Sequence, residues 1–240
     1  MKPQSHDDAI RMIPEYPRTR HLPHKATAKR DDLVCTLEEC KAIWTNTVAV
    51  QEKIDGAQCR MAIRDGYPLI GNRNHIINKA YTGARTAAKL QFSSIWTWWY
   101  DNNGLFKSLQ EAGPYSVYGD WMFMQHGMHY DLLPSLFVAY DVYNYEVGEF
   151  LDPKNATTIL QECGFSVVPL LHYGLVEGFD QLEKLANQSS AFASNEKREG
   201  VYLKVTNGEY VTDRFKMVRE GFEQGKHLSK TKITRNKVKK

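Results

Sequence analysis

Lys53, in the stretch EKIDGAQC (residues 52–59), stands with Glu52 and Asp55 between two alternating apolar runs, where an ordinary strand avoids three charges in four residues. Lys-x-Asp-Gly alone is short enough to arise by chance, and a lysine closing a strand beside a turn accounts for it. The balance shifts because charges recur on other β-like segments, each bounded by apolar residues: Arg73 in IGNRN, Asp120 in YGDWM, Asp141 in VAYDVYN, Glu199 and Lys204 in REGVYLKV, and Arg214 and Lys216 in DRFKMVR. Burying a charge without a partner is costly, so charges inside strands imply partners, and one converging polar site explains several of them at once. Such a site suits attack by a lysine on a phosphate, with cations taking up anionic charge and carboxylates serving a metal.

In this order the segments resemble the motifs of the covalent nucleotidyltransferases, which comprise ATP-dependent RNA and DNA ligases and mRNA-capping guanylyltransferases. KIDG at Lys53–Gly56 is similar to motif I, and GDW at Gly119–Trp121 to the Gly-Glu-aromatic of motif III. Tyr140-Asp141 resembles motif IIIa, EGVYLK at Glu199–Lys204 motif IV, and Arg214-Phe215-Lys216 the paired bases of motif V. The resemblance covers residues 48–218. Within the superfamily, Gln58 stands where DNA ligases and capping enzymes usually carry arginine. With YPRTRHLP ahead of motif I and Arg73 twenty residues past the lysine, it directs the resemblance to ATP-dependent RNA ligases of the RNA ligase 2 type. A DNA ligase, a capping guanylyltransferase and a catalytically inactive nucleic-acid-binding relative are the alternatives.

The resemblance implies an α+β nucleotidyltransferase domain, the ATP-grasp-like adenylation domain of ligases, with antiparallel sheets flanked by helices. Lys53 would carry AMP and pass it to a 5′-phosphate end, which a 3′-hydroxyl then seals. A lysine of ordinary pKa, about 10.4, is almost entirely protonated at neutral pH. A depressed value is therefore expected, supplied by Mg²⁺, Lys216 and Arg214. Glu199, Lys216 and Arg214 join Lys53 as catalytic residues, with Lys204 a further clamp on the phosphates. Tyr140 is expected to stack on adenine, with Phe137 the fallback, and Glu52 or its backbone to read the purine edge. Asp55, Gly56, Gln58, Arg73 and Asp120 complete the ATP site. Asp55, Asp120 and Glu199 are expected to hold the waters of Mg²⁺ or Mn²⁺; Asp120 is shorter than the family's usual glutamate. The expected partner is RNA, nicked or with 5′-phosphate and 3′-hydroxyl ends, contacted by Arg18, Arg20, His21 and the carboxy-terminal lysines, with an accessory protein possible in principle.

These residues need a scaffold, and 240 residues at 42% hydrophobic and 25% charged can bury a sizeable core. The divisions expected are an extended basic arm over 1–35, the nucleotidyltransferase domain over 36–222 and a basic tail over 223–240. Only 24 residues follow Lys216, too few for an OB-fold. Four of the nine prolines fall in the first 32 residues, which predicts an arm that is neither helix nor strand. Thr36 and Glu39 have capping-box spacing, Asp65-Gly66 predicts a hairpin turn, and residues 85–102 predict a helix laying Leu90, Ile95, Trp98 and Trp99 on a sheet. Strands are expected at SVYGDW, SLFVAYDVYN, SVVPLL, REGVYLKV and GEYVTDRFKMV, and helices from Asp152-Pro153 to Gly164 and over 178–188.

Net charge is +3, yet residues 224–240 hold seven Lys/Arg and no acid, so the remainder carries −4. Such a tail suits a polyanion or a solvated, frayed terminus. Cys35, Cys40, Cys59 and Cys163 lack metal-ligand spacing and predict reduced, mostly buried thiols. His126, His129 and Asp131 predict a loop facing solvent or RNA rather than a metal site. No apolar run reaches membrane-spanning length and the amino terminus lacks an apolar signal region, so a soluble, intracellular protein, cytoplasmic or of viral origin, is expected.

Overall fold

The computed structural model describes residues 12–24, 33–64, 66–78, 90–222 and 234–239. Its elements begin with β1 (Arg20–His21), α1 (Lys41–Thr45), β2 (Thr47–Lys53), β3 (Ala57–Arg64) and β4 (Tyr67–Asn72). There follow α2 (Ile95–Asp101), α3 (Asn103–Ala112), β5 (Tyr115–Trp121), β6 (Phe137–Asn144) and β7 (Glu149–Phe150). The chain continues through α4 (Pro153–Glu162), β8 (Leu170–Gly174), α5 (Phe179–Ala186), β9 (Gly200–Thr206) and β10 (Val211–Val218). Two five-stranded sheets result, ordered β1-β10-β9-β2-β8 and β4-β3-β5-β6-β7. Among the described residues the pairings between these strands are antiparallel except β1–β10, which is parallel.

Alternation along each strand divides core from site. Val48 and Val50 of β2, Val201, Leu203 and Val205 of β9, and Phe215 and Met217 of β10 pack with Ile43 of α1 and Leu182 and Ala186 of α5. The opposite parity, Gln51, Lys53, Tyr202, Lys204 and Lys216, faces a cavity. In the second sheet Cys59, Met61, Val117 and Trp121 meet Ile95, Trp98 and Trp99 of α2, Phe106 of α3 and Leu160 of α4. The tryptophans are thus core, as their spacing predicts. Asp152 caps α4 by accepting from the backbone N–H groups of Lys154 and Asn155, with Pro153 in the first turn.

A bulge breaks this alternation in β6. Tyr118 pairs with Asp141 and Gly119 with Ala139, leaving Tyr140 as an extra residue. Phe137, Ala139 and Val142 all face the helices, so Tyr140 and Asp141 both turn to the other side.

Several expectations change. The arm is not free of regular structure: His21 N–H donates to Leu33 O and Leu22 N–H to Lys216 O, making Arg20–His21 a two-residue edge strand. Residues 1–11 and 25–32 of the arm lie outside the described residues, as do Asp65 of the hairpin turn and residues 79–89 of the predicted helix. Gly66 occupies the turn with φ 79°. Cys35 and Cys40 form a disulfide, Cα atoms 6.5 Å apart, whereas Cys59 and Cys163 are free and buried. The turn that pairs them is the Thr36–Glu39 capping box, whose reciprocal bonds (Glu39 N–H to Thr36 Oγ1, 3.2 Å; Thr36 N–H to Glu39 Oε2, 2.7 Å) fold the intervening residues back. The tail is not frayed over 234–239: Arg235 and Val238 bridge to Met124 and Leu133. Residues 223–233 and 240 lie outside the described set.

Candidate active site

Both sheets contribute walls to a cavity of about 490 Å³. From the first come Gln51, Glu52, Lys53, Glu199, Tyr202, Lys204 and Lys216; from the second and its loops, Gln58, Arg73, Asp120, His126 and Tyr140. Ile54, Asp55 and Gly56 cross between the sheets, and Tyr16, Pro17, Arg18, Thr19 and Leu33 close one side. Gly56 is required by close approach: a Cβ there would lie 2.8 Å from the Cβ of Asp120 and would also strike the sulfur of Met122.

Lys53 Nζ lies 2.7 Å from Glu199 Oε1, and Glu199 is fully buried. Burial pulls the lysine pKa down, but Glu199, Tyr202 and Asp55 outweigh it and hold the ammonium above its ordinary value. The expectation of a depressed value is therefore corrected for the protein by itself: carboxylates, rather than cations, are Lys53's nearest charges. Burial pushes the Asp120 carboxyl up to about 7, opposed by Lys53 and reinforced by Asp55 and Glu199.

Glu52 is 2% exposed and its carboxylate is fully engaged, accepting from Ser190 Oγ, Ala191 N–H (3.0 Å) and Arg198 Nε (3.4 Å). Its backbone N–H in turn donates to Pro169 O at 3.3 Å. Lys204 uses all three ammonium donors, on Gln51 Oε1 (2.6 Å), Asp141 Oδ1 (2.7 Å) and the Tyr140 carbonyl (3.0 Å). It is a brace under Tyr140 rather than a free phosphate clamp. Burial draws its pKa down to about 8 against the pull of Asp141. Asp141 also accepts from Tyr16 Oη at 2.6 Å, and Tyr16 meets Tyr140 edge-on at 5.6 Å.

Four predicted site residues do not line the cavity. Arg214 is buried with its guanidinium over the rings of Phe150 (4.3 Å) and Tyr16 (5.3 Å), one strand position pair deeper than Lys216. Phe137 is 1% exposed in the helix-side core, on the wrong parity for a base stacker. His21 is 2% exposed, and Arg20 is paired with Asp213 (2.6 Å) and Glu39 (3.2 Å), so neither presents itself to a polynucleotide. Arg18 lines the cavity instead.

Sequence reasoning missed Gln51, Tyr202, Tyr16 and His126 as lining residues. Gln51 and Tyr202 share parity with Lys53 and Lys204, a signal that alternation offers. Tyr16 carries no local signal. His126, expected to face solvent or RNA, has Nδ1 3.9 Å from Asp55 Oδ1 and Nε2 3.2 Å from Gln91 Oε1. Burial lowers its pKa, opposed by Asp55.

Asp55, Asp120 and Glu199 all line the cavity, but among the described residues no three His, Cys, Asp or Glu side chains are grouped closely enough to grip an ion directly. An acidic wall without a direct-ligand cluster fits a hydrated divalent cation held through its waters.

A lysine and a buried glutamate facing cations and an aromatic across two antiparallel sheets define a nucleotidyltransferase domain. The RNA ligase family model matches residues 46–218. The chain belongs to the RNA ligase family. No curated protein matches it. Among solved structures, Naegleria gruberi RNA ligase in a lysine-to-alanine mutant with ATP and Mn superposes with TM-score 0.60 at 16% identity, covering 87% of this chain and 56% of that one. A glutamate-to-alanine mutant with ATP and Mn gives 0.59 at 19% identity, covering 87% and 57%. A further mutant with AMP and Mn gives 0.59 at 17%, covering 87% and 56%. These likenesses carry the fold; the chain spans little more than half the length of those proteins. No helix among the described residues is long and apolar enough to cross a membrane.

Proposed function

We propose that the chain is an ATP-dependent RNA ligase that forms a lysyl-AMP intermediate on Lys53, transfers AMP to a 5′-phosphate end and seals that end to a 3′-hydroxyl. The observation that carries this is the Lys53–Glu199 pair at 2.7 Å, opening on a cavity with Lys216 and Arg73 on its walls and Tyr140 beside them.

In the first step Lys53 Nζ attacks the α-phosphorus of ATP; the N–P bond forms, the bond to the β-phosphate oxygen breaks and pyrophosphate leaves. The attacking amine must first lose a proton, and Glu199 Oε1 is within hydrogen-bond distance to receive it. Lys216 and Arg73 meet the charge that builds on the phosphate oxygens. Tyr140, braced from below by Lys204, stacks on the base, and Gln58 reaches its hydroxyl at 3.5 Å. Asp55, Asp120 and Glu199 would hold a hydrated divalent cation, which would supply charge neutralisation on the phosphates. In the later steps Arg18 and the exposed Arg235, Lys237 and Lys239 are the candidates for RNA phosphates.

The test is sealing of labelled RNA with 5′-phosphate and 3′-hydroxyl ends, beside DNA of the same sequence, with ATP or GTP and Mg²⁺. RNA sealed with ATP alone is expected. Sealing confined to DNA would move the chain to DNA ligase chemistry, GMP uptake to the capping reaction, and no nucleotide uptake to a binding protein.

A further inference from the structure

Loop 122–133, after β5, carries groups that hold the residue two positions beyond Lys53. Gly127 N–H donates to Asp55 Oδ2, Asp55 N–H donates to Tyr130 Oη at 2.8 Å, and His126 faces the same carboxylate at 3.9 Å. Apart from isolated bridges, the loop has no helix or strand to set its shape.

Its shape comes from the far end of the chain. Asn236, 7% exposed, donates through Nδ2 to the carbonyls of Met122 (2.9 Å) and Met124 (3.1 Å) and accepts through Oδ1 from Tyr130 N–H (3.0 Å). One planar amide thus ties the entry of the loop to its exit, on either side of His126 and Gly127. The backbone on both sides adds Gln125 N–H to Thr234 O (2.9 Å), Lys237 N–H to Tyr130 O (2.8 Å) and Lys239 N–H to Leu133 O (2.8 Å). Asparagine suits the position because it offers two donors and an acceptor at once; aspartate cannot donate, and alanine leaves three buried backbone groups to find other partners.

We propose that segment 234–239, acting through Asn236, is a positioning element of the active site: it fixes loop 122–133 in the form that holds Asp55 beside Lys53. The proposal rests on the reading of Lys53 as the AMP acceptor, and assigns to the basic tail a task unrelated to its charge.

The test compares the 240-residue chain with Asn236→Ala and Asn236→Asp, using Thr234→Ala, an exposed side chain, as a control in the same segment and Leu160→Ala as a destabilised control in the α4 core. Two readouts are taken: the rate of AMP transfer to the chain per folded molecule across ATP concentrations, and hydrogen exchange of loop 122–133. Asn236→Ala is expected to slow transfer at saturating ATP by about 10- to 100-fold. The half-saturating ATP concentration should stay within about threefold, and exchange at Gly127 should accelerate while β2 and β9 keep their protection. Asn236→Asp should be impaired in the same direction, with Thr234→Ala and Leu160→Ala unchanged per folded molecule. Wild-type transfer in Asn236→Ala, or an equal loss in Leu160→Ala, overturns the proposal. A wild-type chain that takes up no AMP defeats the functional reading, and exchange then decides: unchanged protection at Gly127 in Asn236→Ala overturns the positioning role as well.

Discussion

Lys53 and Asp120 sit in one cavity under opposite pressures: Glu199 keeps a proton on the amine, and burial keeps one on the Asp120 carboxyl. Asp120 makes a stability prediction of definite sign. Its folded pKa of about 7 lies above the unfolded 3.8, so between those values the folded chain binds the proton more tightly, and stability falls as pH rises. Asp120→Asn, measured without divalent metal, should match wild type near pH 4 and exceed it increasingly up to pH 7, by on the order of 4 kcal/mol. A difference that stays flat across that range would show that Asp120 is not held protonated. At this scale the sequence was legible wherever a charge stood inside an apolar strand: Lys53, Asp120, Glu199, Lys204 and Lys216 all converge. It misled where a motif residue on the same face is covered by its neighbours, as Arg214 is by Tyr16 and Phe150, and it gave no hint that Lys204 would have every donor engaged by its own neighbours.

Elements position these groups through parity, and the exceptions to parity matter most. The Tyr140 bulge lets two consecutive residues, the ring beside the cavity and the carboxylate that anchors Lys204, share one face. Gly56 sets the approach of the Lys53 segment to β5. Gly56→Ala should displace Asp120 or Met122 and destabilise the chain by about 1–3 kcal/mol, read by chemical denaturation. It should also reduce AMP transfer per folded molecule; an alanine variant with native stability and transfer contradicts the close-packing argument. Strands with clear alternation and the Asp152-Pro153 helix start were readable in sequence because their signals are local. The bulge, the Arg20–His21 edge strand and the Cys35–Cys40 pairing were not, since each depends on a partner distant in sequence or on a turn folding back.

Across the whole molecule, the two ends of the described chain close on one site. Tyr16 and Arg18 reach the cavity from the amino-terminal side, and Asn236 fixes the loop against Asp55 from the carboxy-terminal side. Composition marked both ends as basic arms, because charge is visible in a sequence and a docked backbone is not. The central claim is that Lys53 is the residue that accepts AMP. It is tested most directly by incubating the chain with ATP and Mg²⁺ and locating the added mass by peptide mapping, with Lys53→Ala in parallel. The account predicts AMP on the peptide containing Lys53, with that lysine blocked to cleavage, and no adduct in the variant. AMP on another residue, or an undiminished adduct in Lys53→Ala, would contradict it.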